Sequence, residues 1–255
     1  MTRNAKRLFR ALLCASLIAA AATAAHLLPR SAPTAEENET RYLRAVYVLK
    51  SLGGPASAEP DKTPARIVYD DDTESLLHHP DKILVLGRLA DDLAACGPAY
   101  PRAGLFEAYA RLGTGDKQAA ADLLMRHVVM NDYNAAHYAL LCRTLYETED
   151  FTSLLIICRE WAERDPACRD DRARYVFSAL FALKRFADAE KSMRDAEPCL
   201  GWQAVPHAAR AALAAGNPAR AGQLVREGIS RYPGAEMALK RLWERLQNTL
   251  ADSGK

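Results

Sequence analysis

Five stretches of this chain repeat one turn-plus-helix pattern. They begin at Ile83, Lys117, Phe151, Phe186 and Pro218, at spacings of 34, 34, 35 and 32 residues. A sustained period of that length constrains the fold more than any other feature. Each repeat is a helix–turn–helix unit that cannot bury its apolar face alone, so neighbours must stack into an array with a continuous core. Such an array offers an extended binding surface and no enclosed catalytic pocket.

The clearest unit begins at Phe151. Core residues follow at Leu154, Cys158 and Trp161, which keeps one helical face inward, and Pro166 ends the helix by removing an N–H donor. The same ruler finds Ala189, Met193 and Ala196 from Phe186, and Ala221, Val225 and Gly228 from Pro218. From Ile83 it finds Leu86, Ala90 and Leu93. From Lys117 it finds Ala120 and Leu124, then His127, which makes that unit degenerate. Small residues at Ala189, Ala196, Ala221 and Gly228 permit close helix approach. The turns carry Gly115-Asp116, Glu149-Asp150, Lys184-Arg185 and Gly216-Asn217. Helix 103–112 is apolar nearly all round, so its phase is not set by periodicity. The last helix, about Ala235 to Leu250, places Met237, Leu239, Leu242, Trp243 and Leu246 on one side and charges on the other, as a cap on the final repeat does.

These motifs resemble the tetratricopeptide repeat family over roughly residues 67 to 235, most closely in the three units after Asn134. In the first helices Tyr138, Leu141 and Cys142 fit the family pattern closely, and Ala173, Val176 and Phe177 fit it loosely. The resemblance implies an all-α, right-handed helical-repeat solenoid of about four to five helix pairs plus the C-terminal cap, over residues 66–250 with the first two repeats degenerate. It also implies a concave groove lined by the first helices. Carried over position by position, that groove is Ala139, Arg143, Tyr146 and Glu147, then Arg174, Ser178 and Phe181, then Gln203, Arg210 and Leu213. Arginines beside aromatics suit an extended peptide with carboxylates; the alternative is arginines tied up in salt bridges or simply solvated. Arg143 and Ser178 stand where the family's carboxylate clamp uses asparagines, so that clamp is not expected.

The N-terminus has the form of a secretion signal. Arg3, Lys6, Arg7 and Arg10 precede an apolar run from Ala11 to Leu28, which closes on small residues around Ala22-Thr23-Ala24. The run is 18 residues, enough to stay uncleaved as an inner-membrane anchor, so residues 1–28 read as signal peptide or anchor. Either way the repeats are expected outside the cytoplasm; the alanine- and arginine-rich composition and signal style point to a bacterial periplasm. Removing the first 25 residues turns the net charge of +2 into −2, and no basic block remains for nucleic acid. Residues 29–65 read as a tether with one short amphipathic helix at 40–52, stopped by Gly53-Gly54.

Beyond Cys14 there are Cys96, Cys142, Cys158, Cys168 and Cys199. Cys168 precedes one helix of an antiparallel pair and Cys199 follows the other, so a Cys168–Cys199 disulfide is geometrically reasonable, worth ~3 kcal/mol; two free thiols are the alternative. Cys142 and Cys158 read as small core residues. Histidines at 26, 78, 79, 127, 137 and 207 show no zinc-binding spacing. Asp70-Asp71-Asp72 beside His78 and His79 reads as an acidic helix start, capped by Asp72 or Thr73, rather than a metal site. With no phosphate loop, nucleophile elbow or metal set, neither cofactor nor enzyme activity is expected. The expected function is an extracytoplasmic scaffold that binds a protein or peptide in envelope complex assembly. The alternative is a non-catalytic accessory subunit of an envelope polysaccharide or peptidoglycan enzyme.

Overall fold

The computed structural model describes residues 33–53, 70–96, 100, 102–167 and 169–253. The chain divides into two compact units, Met1–Thr40 and Arg41–Lys255. The expected signal or anchor at 1–28 and the linker at 55–64 lie outside the described residues. Among those described, no helix is long and apolar enough to cross a membrane.

Helix α1 (Ala35–Ser51), whose residues 41–51 belong to the second unit, begins at Ala35 rather than near residue 40, inside the stretch expected to be tether. A reciprocal cap explains the earlier start. Glu37 N donates to Thr34 Oγ1 at 3.2 Å and Thr34 N donates to Glu37 Oε2 at 2.8 Å.

The second unit is a helical-repeat solenoid. Its helices are α2 (Asp71–Leu77), α3 (Lys82–Cys96), α4 (Ala103–Thr114), α5 (Lys117–Met130), α6 (Ala135–Glu147), α7 (Phe151–Arg164), α8 (Asp170–Ala182), α9 (Phe186–Asp195), the short α10 (Glu197–Leu200), α11 (Ala204–Ala214), α12 (Pro218–Arg231) and α13 (Glu236–Ser253). From α3 onward each main helix packs on its chain neighbour, and α9 skips the short α10 to pack on α11. The second helices start at Lys82, Lys117, Phe151, Phe186 and Pro218, so the repeat count read from sequence is the repeat of the fold. Only the first start moves, by one residue, and Ile83 is exposed rather than at the seam.

Four turns share one backbone geometry. Gly115, Glu149, Lys184 and Gly216 are left-handed, with φ of 86°, 59°, 57° and 76°. In each, the next N–H (Asp116, Asp150, Arg185, Asn217) reaches back to Arg111, Leu145, Leu180 or Ala212 carbonyls at 2.9–3.0 Å, a Schellman closure. Those same residues start the following helix. Asp116, Asp150 and Asn217 accept from the N–H of Ala119, Ser153 and Arg220 at 3.3, 3.1 and 3.0 Å, whereas Arg185 makes no side-chain cap. The cap of α2 is Asp70, not Asp72 or Thr73: its Oδ1 accepts from Thr73 N at 2.8 Å and Thr73 Oγ1 at 2.6 Å. Thr73 is fully buried and serves as the donor, and Asp72 instead pairs with Arg44.

Three apolar clusters run along the unit. The first joins Ala45, Val46, Val48 and Leu49 of α1 to Val85, Leu89, Phe106 and Ala110, with Tyr42 stacked on Tyr100 at 4.7 Å. The second is built on Leu124, Tyr138, Leu141, Cys142, Leu154, Cys158 and Trp161. The third is built on Phe177, Met193, Val205, Leu224, Val225 and Leu239. Tyr109 packs against the first two, and Leu155 and Val176 against the second and third. Helix α4 turns Leu105, Phe106, Ala108 and Ala110 inward, which sets the phase that periodicity left open. In α13, Leu239 is fully buried with Trp243 beside the third cluster, while Met237, expected on the same face, is 63% exposed; the side chain of Leu246 is not among those described.

Candidate functional site

The first helices α6, α8 and α11 carry the residues expected to line a groove. Repeat equivalence puts Arg143, Ser178 and Arg210 at one position of successive units, and Tyr146, Phe181 and Leu213 at another. Aromatic rings hold this face in order. Tyr146, nearly half exposed, lies 6.1 Å from Phe151 and 6.4 Å from Tyr175; Phe181 lies 5.5 Å from Phe177 and 5.1 Å from Phe186. Arg210 stacks its guanidinium over Phe181, 4.6 Å from the ring centroid, a cation–π contact that fixes the head without neutralising it. Arg174 donates to the amide oxygen of Gln203, so two expected site residues on different units meet directly. Ser178 is half-buried on the same helix as Arg174 and Phe181.

Glu147 departs from the expected set. It pairs with Lys117 of the preceding unit at 2.8 Å, so its charge is compensated there. Three residues that sequence reasoning passed over belong to this face. Burial pushes up the hydroxyls of Tyr109 and Tyr175, and the nearby Arg143 charge opposes that shift in both. His207 packs against Phe177 at 4.9 Å. Burial, and then the Arg174 and Arg210 charges, hold its imidazole below the usual histidine range. The repeat itself was the missed signal: His207 occupies the position that Tyr175 holds one unit earlier.

Pairing of the arginines varies over the surface. Arg111, Arg164, Arg169, Arg185, Arg194, Arg220 and Arg231 all sit within ion-pair distance of carboxylates. Among the described residues, Arg143, Arg174 and Arg210 have no such carboxylate, and neither do Arg88, Arg126 and Arg159. A second recess, of about 840 Å³ between α3, α4 and α5, differs: its Arg111 is matched by Asp91, Glu107 and Asp116. At its edge His127 is buried, with Nε2 3.2 Å from His137 Nδ1 and Nδ1 3.2 Å from Asn131 Nδ2. Among the described residues, no three His, Cys, Asp or Glu side chains are grouped to hold a metal ion.

Cys142 and Cys158 are buried core residues with Sγ atoms 3.7 Å apart; their mutual thiol contact, and then burial, push the Cys142 pKa far up. Cys199 is disulfide-bonded, and Cys168 lies outside the described residues.

The sequence matches no protein-family model and no curated protein. Solved structures to which the chain is similar include the following two. MamA MSR-1 C2 is 18% identical, with 64% of this chain and 90% of that one covered at a TM-score of 0.47. MamA AMB-1 P212121 is 18% identical, with 60% and 94% covered at 0.46.

Proposed function

We propose that this chain is a helical-repeat scaffold that holds an extended, acidic segment of a protein partner along α6, α8 and α11, outside the cytoplasm, during assembly of an envelope complex. One observation carries the reading: Arg143, Arg174 and Arg210, carried by the first helices of successive units, have no carboxylate partner among the described residues and stand on a face rich in aromatic rings, where Arg210 stacks over Phe181. Guanidinium groups presented this way form charge-assisted bonds to incoming carboxylates, and the rings supply apolar contact at small entropic loss. The solenoid supplies length and chemical variety in place of an enclosed pocket, which suits binding rather than turnover. The extracytoplasmic setting rests on the charged and apolar pattern of residues 3–28.

The test is crosslinking capture from envelope fractions with wild type, with Arg143→Glu plus Arg174→Glu, and with Arg88→Glu plus Arg126→Glu, two exposed arginines, as a charge-matched control. A partner retained by wild type and control and lost by the double variant is the expected result. Equal capture by all three overturns the groove assignment. Because a bound carboxylate favours protonated His207, binding should also tighten as pH falls below the usual histidine range, and His207→Gln should flatten that dependence.

A further inference from the structure

The same array carries another recess, lined by residues other than those expected to line the groove. It lies where α7, α8 and α9 meet, with a volume of about 380 Å³. Leu155, Ala162, Ala173 and Val176 form its apolar floor; Arg159, Arg169 and Arg172 stand at its wall.

The next unit supplies an internal control. Shifting by the repeat, Cys158, Arg159 and Ala162 become Met193, Arg194 and Glu197; Arg172, Ala173, Val176 and Ser192 become Ala204, Val205, Ala208 and Leu224. Those residues line the equivalent recess, whose volume is about 10 Å³. The reason is legible residue by residue. Val205 and Leu224 fill the space that Ala173 and Ser192 leave empty. Glu197, in place of Ala162, pairs with Arg231 across the opening. Glu190, in place of Leu155, pairs with Arg194 at 3.6 Å. So the earlier recess is open because small side chains replace large ones, and its Arg159 has lost both carboxylates that its counterpart's surroundings carry.

The remaining charges do not make good that loss. Arg169 is matched by Asp165 at 2.6 Å. Arg172 is held by the carbonyls of Asp165 and Ala167 at 2.6 and 2.7 Å, which leaves its charge uncompensated by any carboxylate in those contacts. Asp195, exposed on the rim, is the one acid lining the recess. Three guanidinium groups therefore face Asp165 and Asp195 around an apolar floor.

We infer that this recess is a second docking site, and that its occupant is a partner peptide segment presenting a large apolar side chain beside a carboxylate. The apolar side chain takes the place that Val205 and Leu224 take one unit later, and the carboxylate takes, against Arg159, the place that Glu190 takes against Arg194. The partner thus restores, between chains, the packing and the ion pair that the next unit makes within its own chain.

The probes are three acetylated, amidated dipeptides, Phe-Asp, Phe-Asn and Ala-Asp, titrated at millimolar concentration into the isotope-labelled chain and read by amide chemical shifts. The expected result is saturable shifts at 155, 162, 173 and 176 with Phe-Asp, at least about fivefold weaker with either partner-deficient dipeptide (about 1 kcal/mol by the tenfold-per-1.4 relation). Arg159→Gln should abolish the preference for Phe-Asp over Phe-Asn. Ala162→Glu, which installs the residue of the closed unit, should remove binding while leaving the spectrum folded. Equal shifts from all three dipeptides, or shifts unaffected by both variants, overturn the proposal. Shifts confined to residues around Arg174 and Arg210 also overturn it while leaving the first-helix groove standing.

Discussion

Helices α11 and α12 approach closely at Gly228, which allows a sharp test of the packing. A Cβ added there would lie 2.8 and 2.9 Å from the two Cγ atoms of Val205 and 3.3 Å from its Cβ. Val205 is buried and β-branched, with one favoured rotamer in a helix, so it cannot swing aside. In a helix interior Gly→Ala ordinarily gains about 1 kcal/mol. Forcing a methyl into this contact costs roughly 1–3 kcal/mol. Gly228→Ala should therefore lower stability by about 1 kcal/mol. Gly87→Ala, in α3 with nothing within 4 Å of its added Cβ, should raise it by about the same amount. Val205→Ala alone loses two methyl groups, about 1.6 kcal/mol. In the double variant the new methyl of residue 228 enters the space vacated, so the two effects should couple by about 1 kcal/mol or more. Urea unfolding with a constant m-value is the assay, since a change in m would signal broken cooperativity in a repeat array. If Gly228→Ala stabilises as much as Gly87→Ala, or if the double variant is additive within about 0.5 kcal/mol, helix contact at Gly228 does not limit packing.

Three further outcomes are expected. Arg185 occupies the same turn position as Asp116 and Asp150 but makes no cap, so Arg185→Asp should stabilise by roughly 0.5–1 kcal/mol in chemical denaturation, net of its exposed pair with Asp188. Trp161 donates Nε1–H to Tyr133 Oη at 3.0 Å, and Tyr133 donates to Asp165 at 2.6 Å; Tyr133→Phe leaves the buried indole N–H unsatisfied and should cost about 1–3 kcal/mol by the same assay. His127 is held down at about 4 by burial, then by His137 and Arg102, so the unfolded chain takes up this proton first; stability should fall as pH drops from 6.5 toward 4, and His127→Leu should flatten that segment of a stability–pH profile.

Much of this architecture is written in short-range chemistry. Leu154, Cys158 and Trp161, found by spacing, are all buried, and so are Ala189, Met193, Ala221 and Val225. The caps Asp116, Asp150 and Asn217 work locally and were readable as turn residues. What escaped depended on tertiary context. Glu149 and Lys184 adopt left-handed backbone that glycine usually supplies, because the Schellman closure around them outweighs their intrinsic preference. His127 falls on the core register as a polar residue and becomes acceptable only because His137 and Asn131, beyond the helix or at its end, meet both ring nitrogens. Met237 has the right period but lies ahead of the contact made by Leu239. The groove arginines were found by repeat position, whereas their lack of carboxylates, and the place of His207 between them, exist only once neighbouring units are stacked.

The shared wall at α8 has a mechanical consequence. Ala179 belongs to the central cluster while Phe177 and Leu180 belong to the last, and Leu155 and Val176 touch both. The array is therefore laminated, and this joint is the plane along which it would part under load or during stepwise opening. The small side chains of the open recess thin that joint. A segment seated over Leu155 and Val176 would act as a splint, raising amide protection in both clusters at once, so docking there would be transmitted between them as stiffness rather than as a rearrangement.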